Sequence, residues 1–147
     1  MLDLFPRVPR PERARNRIVA FLFLIDLAVI LGCGPRPVTG GTKGILRSGG
    51  APLSDFQLTV HAEQGGLWSP VGFAVSTADG SFELVTNGAK GSLFLDPGEY
   101  RCTVESAGAP LKVPAKYAQV ESTPLKVTWP TATNSLELEL PPLPMIR

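Results

Sequence analysis

The sequence predicts an all-β protein, a seven-stranded antiparallel β-sandwich preceded by an N-terminal signal helix. Three observations lead to this prediction. Beyond residue 43 the chain repeatedly alternates apolar and polar residues, and clusters of Gly, Pro, Asn and Asp separate the alternating segments. Before that region lies one apolar run preceded by arginines. A chain of 147 residues has room for one domain of this kind.

The alternation defines seven candidate strands. The segment "FQLTVHAE" puts apolar side chains at every second position, which is typical of a strand with one buried and one solvated face. The dipeptide Asp79-Gly80 predicts a hairpin, because glycine accepts a positive φ. Seven short strands in about 100 residues favour a sandwich. The candidates are residues 44–48, 56–63, 71–77, 81–86, 99–105, 125–129 and 135–140.

The apolar run at residues 18–31 has the properties of a secretory leader. Five arginines precede it, and as a helix it would span about 21 Å, less than the roughly 30 Å core of a bilayer. Its length matches the apolar part of a signal peptide. Asp26 opposes insertion by about 2.5–3.5 kcal/mol, whereas the eleven Leu, Ile, Phe and Val side chains favour it by roughly 3–7 kcal/mol. The balance favours a leader.

The run ends in "ILGC" (residues 30–33), which resembles the lipobox of bacterial lipoproteins. The resemblance implies that Gly32 admits the backbone to a signal peptidase that cuts before Cys33. It also implies a diacylglyceryl group on the Cys33 thiol, and two acyl chains suffice for stable membrane attachment. Residues 1–32 are then the signal peptide, and 33–43 the lipidated cysteine with a flexible tether. An ordinary secretory leader and an uncleaved anchor are the alternatives.

The chain beyond the tether resembles the carboxypeptidase regulatory-like domain, a transthyretin-like (prealbumin-like) β-sandwich with an immunoglobulin-like architecture. The motifs are "APL" (51–53), "TADGSF" (77–82) and "PGEY" (97–100), and the likeness extends over about residues 40–140. Small bacterial lipoproteins carry such domains. Cys102 stands where valine is usual. The resemblance implies a fold and no catalytic residues, with the sandwich at 44–140 and a Pro-rich tail at 141–147.

The charge distribution argues against nucleic-acid binding. From Cys33 onward, nine Lys and Arg face ten Asp and Glu, so the mature part lacks the basic stripe that such binding requires. The partner predicted by the leader is instead a membrane, reached through lipidated Cys33. Gly34 follows the cysteine where inner-membrane lipoproteins carry Asp, which favours the outer membrane. The predicted location is the bacterial cell envelope, facing the periplasm or the cell surface.

Enzymatic chemistry finds little support in the sequence. His61 is the only histidine, and its strand places it on the solvent-facing side. A hydrolase would need it to meet a serine and an acid, as Ser54-Asp55 would offer, but no G-x-S-x-G motif is present. We therefore predict no catalytic residues, and a hydrolase remains a remote alternative.

Neither a metal nor a cofactor is predicted. Four acids at turns, Asp79, Glu83, Asp96 and Glu99, would suit Ca²⁺ if the turns converged. Asp79 and Asp96 precede Gly or Pro-Gly, however, and this is ordinary turn chemistry.

Four residues are candidates for a binding surface. Trp68 follows "EQGGL" and is placed in a loop, where an aromatic side chain favours contact with a partner. Lys112, Lys116 and Tyr117 lie in the long connection 111–123, and long connections are often functional. The leading interpretation is a lipid-anchored, non-enzymatic structural or protein-binding module of the envelope; the alternative is a carbohydrate- or peptide-binding domain.

Cys102 is predicted to face the core and to pack there as a small apolar side chain. The other possibility for it is a disulfide with Cys33, which would contradict lipidation.

Overall fold

The computed structural model describes residues 38–146, and every structural statement below concerns these residues. The signal helix, the lipobox with Gly32 and Cys33, and the start of the tether lie outside them. The regular secondary structure of the described chain is almost entirely β, with its strands arranged in two sheets. The all-β prediction is thereby confirmed.

Nine strands and one short helix make up the described chain. Strand β2 is a two-residue strand that the sequence pattern does not reveal. The elements are β1 (Lys43–Ser48), β2 (Ala51–Pro52), β3 (Phe56–Gln64), β4 (Leu67–Val75), β5 (Ser81–Glu83), β6 (Val85–Thr86), β7 (Gly98–Ser106), α1 (Ala115–Ala118), β8 (Lys126–Trp129) and β9 (Leu136–Leu140).

The predicted strand at 81–86 is in fact two strands that belong to different sheets. β5 pairs with β1, whereas β6 pairs with β4. Leu84 lies between them, where its N–H donates to Thr42 O and its carbonyl accepts from Leu93 N–H. An alternating pattern shows which side chains are buried but not which neighbour each backbone group bonds, so the crossing from one sheet to the other is invisible in it.

The first sheet contains a parallel pair, which corrects the wholly antiparallel prediction. β9 lies along one edge of β1 in parallel register, from Gly44 opposite Leu136 to Ser48 opposite Leu140, while β5 and β2 occupy the other edge. Parallel strands need a long connection, and here the rest of the domain provides it. The second sheet has the order β6-β4-β3-β7-β8 and is antiparallel throughout.

The two sheets share one apolar core. In β9, Leu136, Leu138 and Leu140 are buried while Glu137 and Glu139 are exposed, as the alternation predicts. The core also takes side chains from β1, β3, β4, β5 and β7 and from the connections that follow them. Its most buried members include Leu46, Phe56, Leu58, Val60, Leu84, Cys102, Val104, Leu136 and Leu140.

β4 begins four residues earlier than predicted. Gly65 and Gly66, with φ of 62° and 83°, form a two-residue turn that joins Gln64 to Leu67. Pro70 makes the start of this strand hard to recognise, since proline cannot donate a ladder hydrogen bond, but it sits where the register of the β3–β4 pair shifts. The strand therefore includes the region that the sequence assigns to a loop.

The Pro-rich tail is bound to the domain. Lys112 N–H donates to Pro144 O at 2.8 Å, and Ile146 N–H donates to Pro110 O at 2.9 Å. In the part of the chain described here, no helix has the length and apolar character needed to cross a bilayer.

Candidate functional site

The chain that leads away from Cys33 is attached to the domain as soon as it enters the described region. Ser92 Oγ donates to Thr39 O at 2.5 Å, and Thr42 N–H donates to Leu93 O at 2.8 Å. Gly40 N–H donates to the Glu83 carboxylate. The predicted flexible tether at 33–43 is therefore held against the domain from Thr39 onward.

A groove of about 770 Å³ lies beside this attachment point, lined by residues of β1, β4, β5 and β6. β6 pairs with β4 only at Gly72 and Phe73, so the edge of β4 at Val75 has no partner strand within residues 38–146. Val75 is 48% exposed. The apolar lining consists of Val38, Ile45, Phe73, Ala74, Val75, Phe82 and Val85.

Two opposite charges lie at the groove, and they neutralise each other. Lys43 Nζ is 3.5 Å from Glu83 Oε1, and the Gly40 N–H bonds the same carboxylate. The Gly40 N–H donor, followed by the ammonium group of Lys43, lowers the pKa of Glu83. The carboxylate therefore stays ionised and keeps the tether at the rim of the groove.

The sequence pattern does not identify the groove, although one signal for it exists. The segment "VGFAV" is apolar at successive positions, which indicates a strand in apolar surroundings on both faces. The small residues Gly72 and Ala74 are buried on the core side, whereas Phe73 and Val75 point to the other face. Only in the assembled sheets do Phe73 and Val75 become part of the groove wall.

Trp68 lies near the start of β4 and is partly buried, so its assignment to a loop is wrong. The guanidinium of Arg101 lies 4.4 Å from the centroid of its ring, a cation–π contact. Arg101 Nη1 also donates to Val120 O at 3.1 Å. Beside this pair is a cleft of about 180 Å³, lined by Trp68, Glu99, Tyr100, Arg101, Lys126, Val127 and Thr128.

Of the three candidate binding residues in the connection 111–123, two are exposed and one is buried. Tyr117 is only 5% exposed and belongs to the core cluster, because the short helix α1 turns its ring inward against the domain. Lys112 and Lys116 remain exposed, and Lys116 Nζ lies 5.2 Å from the centroid of the Tyr117 ring. The end of the connection is joined to Arg101, the cation over Trp68, by hydrogen bonds from Arg101 Nη1 to Val120 O and Glu121 O.

His61 is half-buried, in contrast to the solvent-facing position predicted for it. Its Nε2 lies 3.1 Å from Thr103 Oγ1, and its Nδ1 is buried without a hydrogen-bond partner in the described chain. Burial lowers the pKa of His61, and the nearby carboxylate of Glu121 opposes this shift. Ser54 Oγ donates to Asp55 Oδ2 at 2.7 Å. The histidine and the Ser54-Asp55 pair thus have separate partners.

One of the acidic residues at the turns, Asp79, is engaged in local hydrogen bonds. Asp79 Oδ1 accepts from Ser81 Oγ at 2.6 Å, from Thr77 Oγ1 at 2.7 Å and from Ser81 N–H at 3.0 Å. These donors, the Ser81 hydroxyl first, lower the pKa of Asp79 to about 2. Within residues 38–146, no three His, Cys, Asp or Glu side chains are grouped so as to hold a metal ion.

Cys102 is fully buried, as predicted from the alternation of β7. Among residues 38–146 its thiol has no disulfide partner, and burial raises its pKa to about 12. A buried thiol with so high a pKa is unreactive, because the thiolate is the nucleophile.

Comparisons with known proteins identify no relative of this chain. No protein-family model matches the chain, and searches of curated proteins and of solved structures find no match either. Only the sequence pattern and the geometry of the described residues therefore bear on its function.

Proposed function

We propose that this protein is a lipid-anchored, non-enzymatic β-sandwich module of a bacterial cell envelope, with a structural or protein-binding role. The observation that carries the proposal is the lipobox-like "ILGC" at residues 30–33, which ends an apolar run and is followed within ten residues by a β domain. A cysteine at this place, rather than elsewhere in a leader, is what lipid attachment requires.

The finer fold assignment is a transthyretin-like sandwich of the carboxypeptidase regulatory-like kind, preceded by a signal helix. Two motif positions support it. In "TADGSF" the Asp79 carboxylate holds both ends of a tight turn between β4 and β5. In "PGEY" the buried Tyr100 donates its hydroxyl proton to Asp96 O at 2.8 Å, which fastens the start of β7.

A non-enzymatic role is supported by the surroundings of the side chains that are most suited to catalysis. His61 is bonded to Thr103, Ser54 is bonded to its neighbour Asp55, and the thiol of Cys102 is buried and protonated. The hydrogen bonds of His61 and Ser54 thus go to neighbouring residues rather than to each other. The protein then acts through its surface, at the end of a lipid tether.

Labelling of lipids in living cells tests the anchor. Cells that express the full chain are fed an alkyne-bearing palmitate, and the protein is then coupled to a dye and inspected for its label. Because the chain has two cysteines, Cys102→Ala is a matched control for Cys33→Ala. We expect the label on the wild type and on Cys102→Ala and its loss in Cys33→Ala. An unlabelled wild type, or a label that persists in Cys33→Ala, contradicts the proposal.

Binding of an envelope glycan or peptide is a second candidate function, favoured by the cleft beside Trp68 and Arg101. An aromatic ring with a fixed cation and a polar rim offers both stacking and hydrogen bonds to such a ligand. Screening of glycan and peptide arrays tests this role, with Leu67→Ala as a control next to Trp68→Ala. A ligand whose binding Trp68→Ala leaves intact would not use this cleft.

A further inference from the structure

The groove between β4 and β5 leaves apolar side chains open to water. In its wall Val75 is exposed and Ile45 and Phe73 are partly exposed, while Val85 is buried. Its volume of about 770 Å³ is within the roughly 300–1,000 Å³ typical of ligand pockets. Its charged residues, Lys43 and Glu83, form an ion pair with each other. The wall therefore suits an uncharged, flexible hydrocarbon better than a polar ligand.

The place where the described chain begins identifies an occupant. Val38 and Thr39 line the groove themselves, and the Gly40 bond to Glu83 holds the backbone at its rim. Cys33 precedes Val38 by five residues, and a fully extended segment of that length spans at most about 18 Å. A group attached to Cys33 is therefore within reach of the groove.

We propose that an acyl chain of lipidated Cys33 occupies this groove whenever the protein is away from a membrane. The proposal rests on the proposed lipid anchor. It gives one acyl chain of the anchor a second place away from water, in the groove of the same molecule. Insertion into a bilayer would withdraw the chain and empty the groove. The groove and the membrane thus compete for one hydrocarbon chain.

A fluorescent fatty acid tests whether the groove accepts hydrocarbon. The protein used is residues 34–147, since every member of the core lies between residues 46 and 143. Dansyl-undecanoic acid is titrated into it. We expect saturable binding, at least tenfold weaker for Val75→Lys and unchanged for Leu67→Lys. Both positions are exposed apolar residues of β4, but Leu67 lies outside the groove. The absence of binding, or an equal loss in both variants, overturns the proposal.

The folding of the variants is checked independently of binding. In a folded variant the buried Cys102 stays unreactive toward a thiol reagent. If Val75→Lys fails this check, Val75→Thr replaces it, because threonine has a similar shape and adds only a hydroxyl. A Val75→Thr protein that binds the probe as tightly as the wild type then counts against the proposal.

Photo-crosslinking tests whether the protein's own lipid is the occupant. Cells are fed a palmitate that carries a diazirine, and the intact lipidated protein is irradiated at nanomolar concentration in water and again in phosphatidylglycerol vesicles. We expect adducts at Phe73 or Val75 of the same chain in water and adducts to lipid in vesicles. Adducts spread over other surfaces, or located on a second copy of the chain, overturn the inference.

The same mass spectra separate the two proposals. If Cys33 carries a diacylglyceryl group but the groove gains no adduct, the anchor stands and the inference fails. If Cys33 is unmodified, the anchor itself is wrong and the inference is wrong with it.

Discussion

Replacement of Leu58 by alanine tests the central claim of the fold, that the two sheets enclose one core. Leu58 is 1% exposed in the middle of β3, with Ala74 opposite it on one neighbouring strand and Val104 on the other. Leucine-to-alanine changes at such sites cost about 3 kcal/mol, from lost apolar transfer and the cavity that remains. Since about 1.4 kcal/mol is a factor of ten, the unfolded fraction should rise about 150-fold.

Cys102 provides the assay. In residues 34–147 it is the only cysteine, and in the folded state its thiol is fully buried, with a pKa raised to about 12. A thiol reagent at about pH 8 therefore labels mainly molecules that have opened, and when opening is fast the labelling rate follows the unfolding equilibrium. We expect Leu58→Ala to be labelled about 150-fold faster than the wild type.

Leu67→Ala is the matched control. This leucine is 72% exposed, so its removal should change the free energy of unfolding by less than about 0.5 kcal/mol and the labelling rate by about twofold at most. Equal rates for Leu58→Ala and the wild type, or an equal acceleration by Leu67→Ala, would refute the assignment of Leu58 to the core.

Three further predictions concern charged and titrating groups. Burial lowers the pKa of His61, so below about pH 6.5 the unfolded chain binds a proton at this histidine more readily than the folded chain does. The urea midpoint should therefore fall as the pH falls from about 6.5. In His61→Gln this dependence of the midpoint on pH should be lost. The pKa of Asp79 is lowered to about 2, so its contribution is complete above about pH 4 and disappears as the pH falls toward 2. Asp79→Asn, which retains an acceptor oxygen, should show a smaller loss in acid unfolding followed by circular dichroism. Arg101→Gln removes the cation over Trp68 and should cost about 1–2 kcal/mol in urea unfolding, whereas Lys126→Gln on the adjacent strand should cost less than about 0.5 kcal/mol.

The strands were predictable because half-buried strands impose a period of two on the sequence. The alternation of β9 and the inward position of Cys102 follow directly from it. A turn at Asp79-Gly80 was predictable because the dipeptide combines a short acceptor side chain with a residue that accepts positive φ. The hairpin predicted there is wrong, because β4 and β5 do not pair with each other: β4 pairs with β3 and β6 in one sheet, and β5 pairs with β1 in the other.

Features that depend on pairing between distant strands were not predictable. A period of two fixes which face of β9 is buried, but not that its neighbour is β1 or that the two run parallel. It does not show that the chain changes sheets at Leu84.

The candidate site was harder to predict for the same reason. The groove is assembled from four strands. Tyr117 lies in a connection, where no period indicates whether a side chain faces the core or water, and it proves to be buried. Trp68 is hard to assign to a strand from the sequence, because Pro70 obscures the early start of β4.

The parallel contact between β1 and β9 determines when the molecule can fold during its synthesis. Ser48 Oγ bonds Pro141 O at 2.7 Å across 93 positions of the chain, so the first long strand of the domain must wait for the last. Contacts between such distant positions close slowly. A polypeptide emerging from a ribosome cannot complete its first sheet until the residues of β9 have been translated, whereas every strand of the second sheet is available before that point.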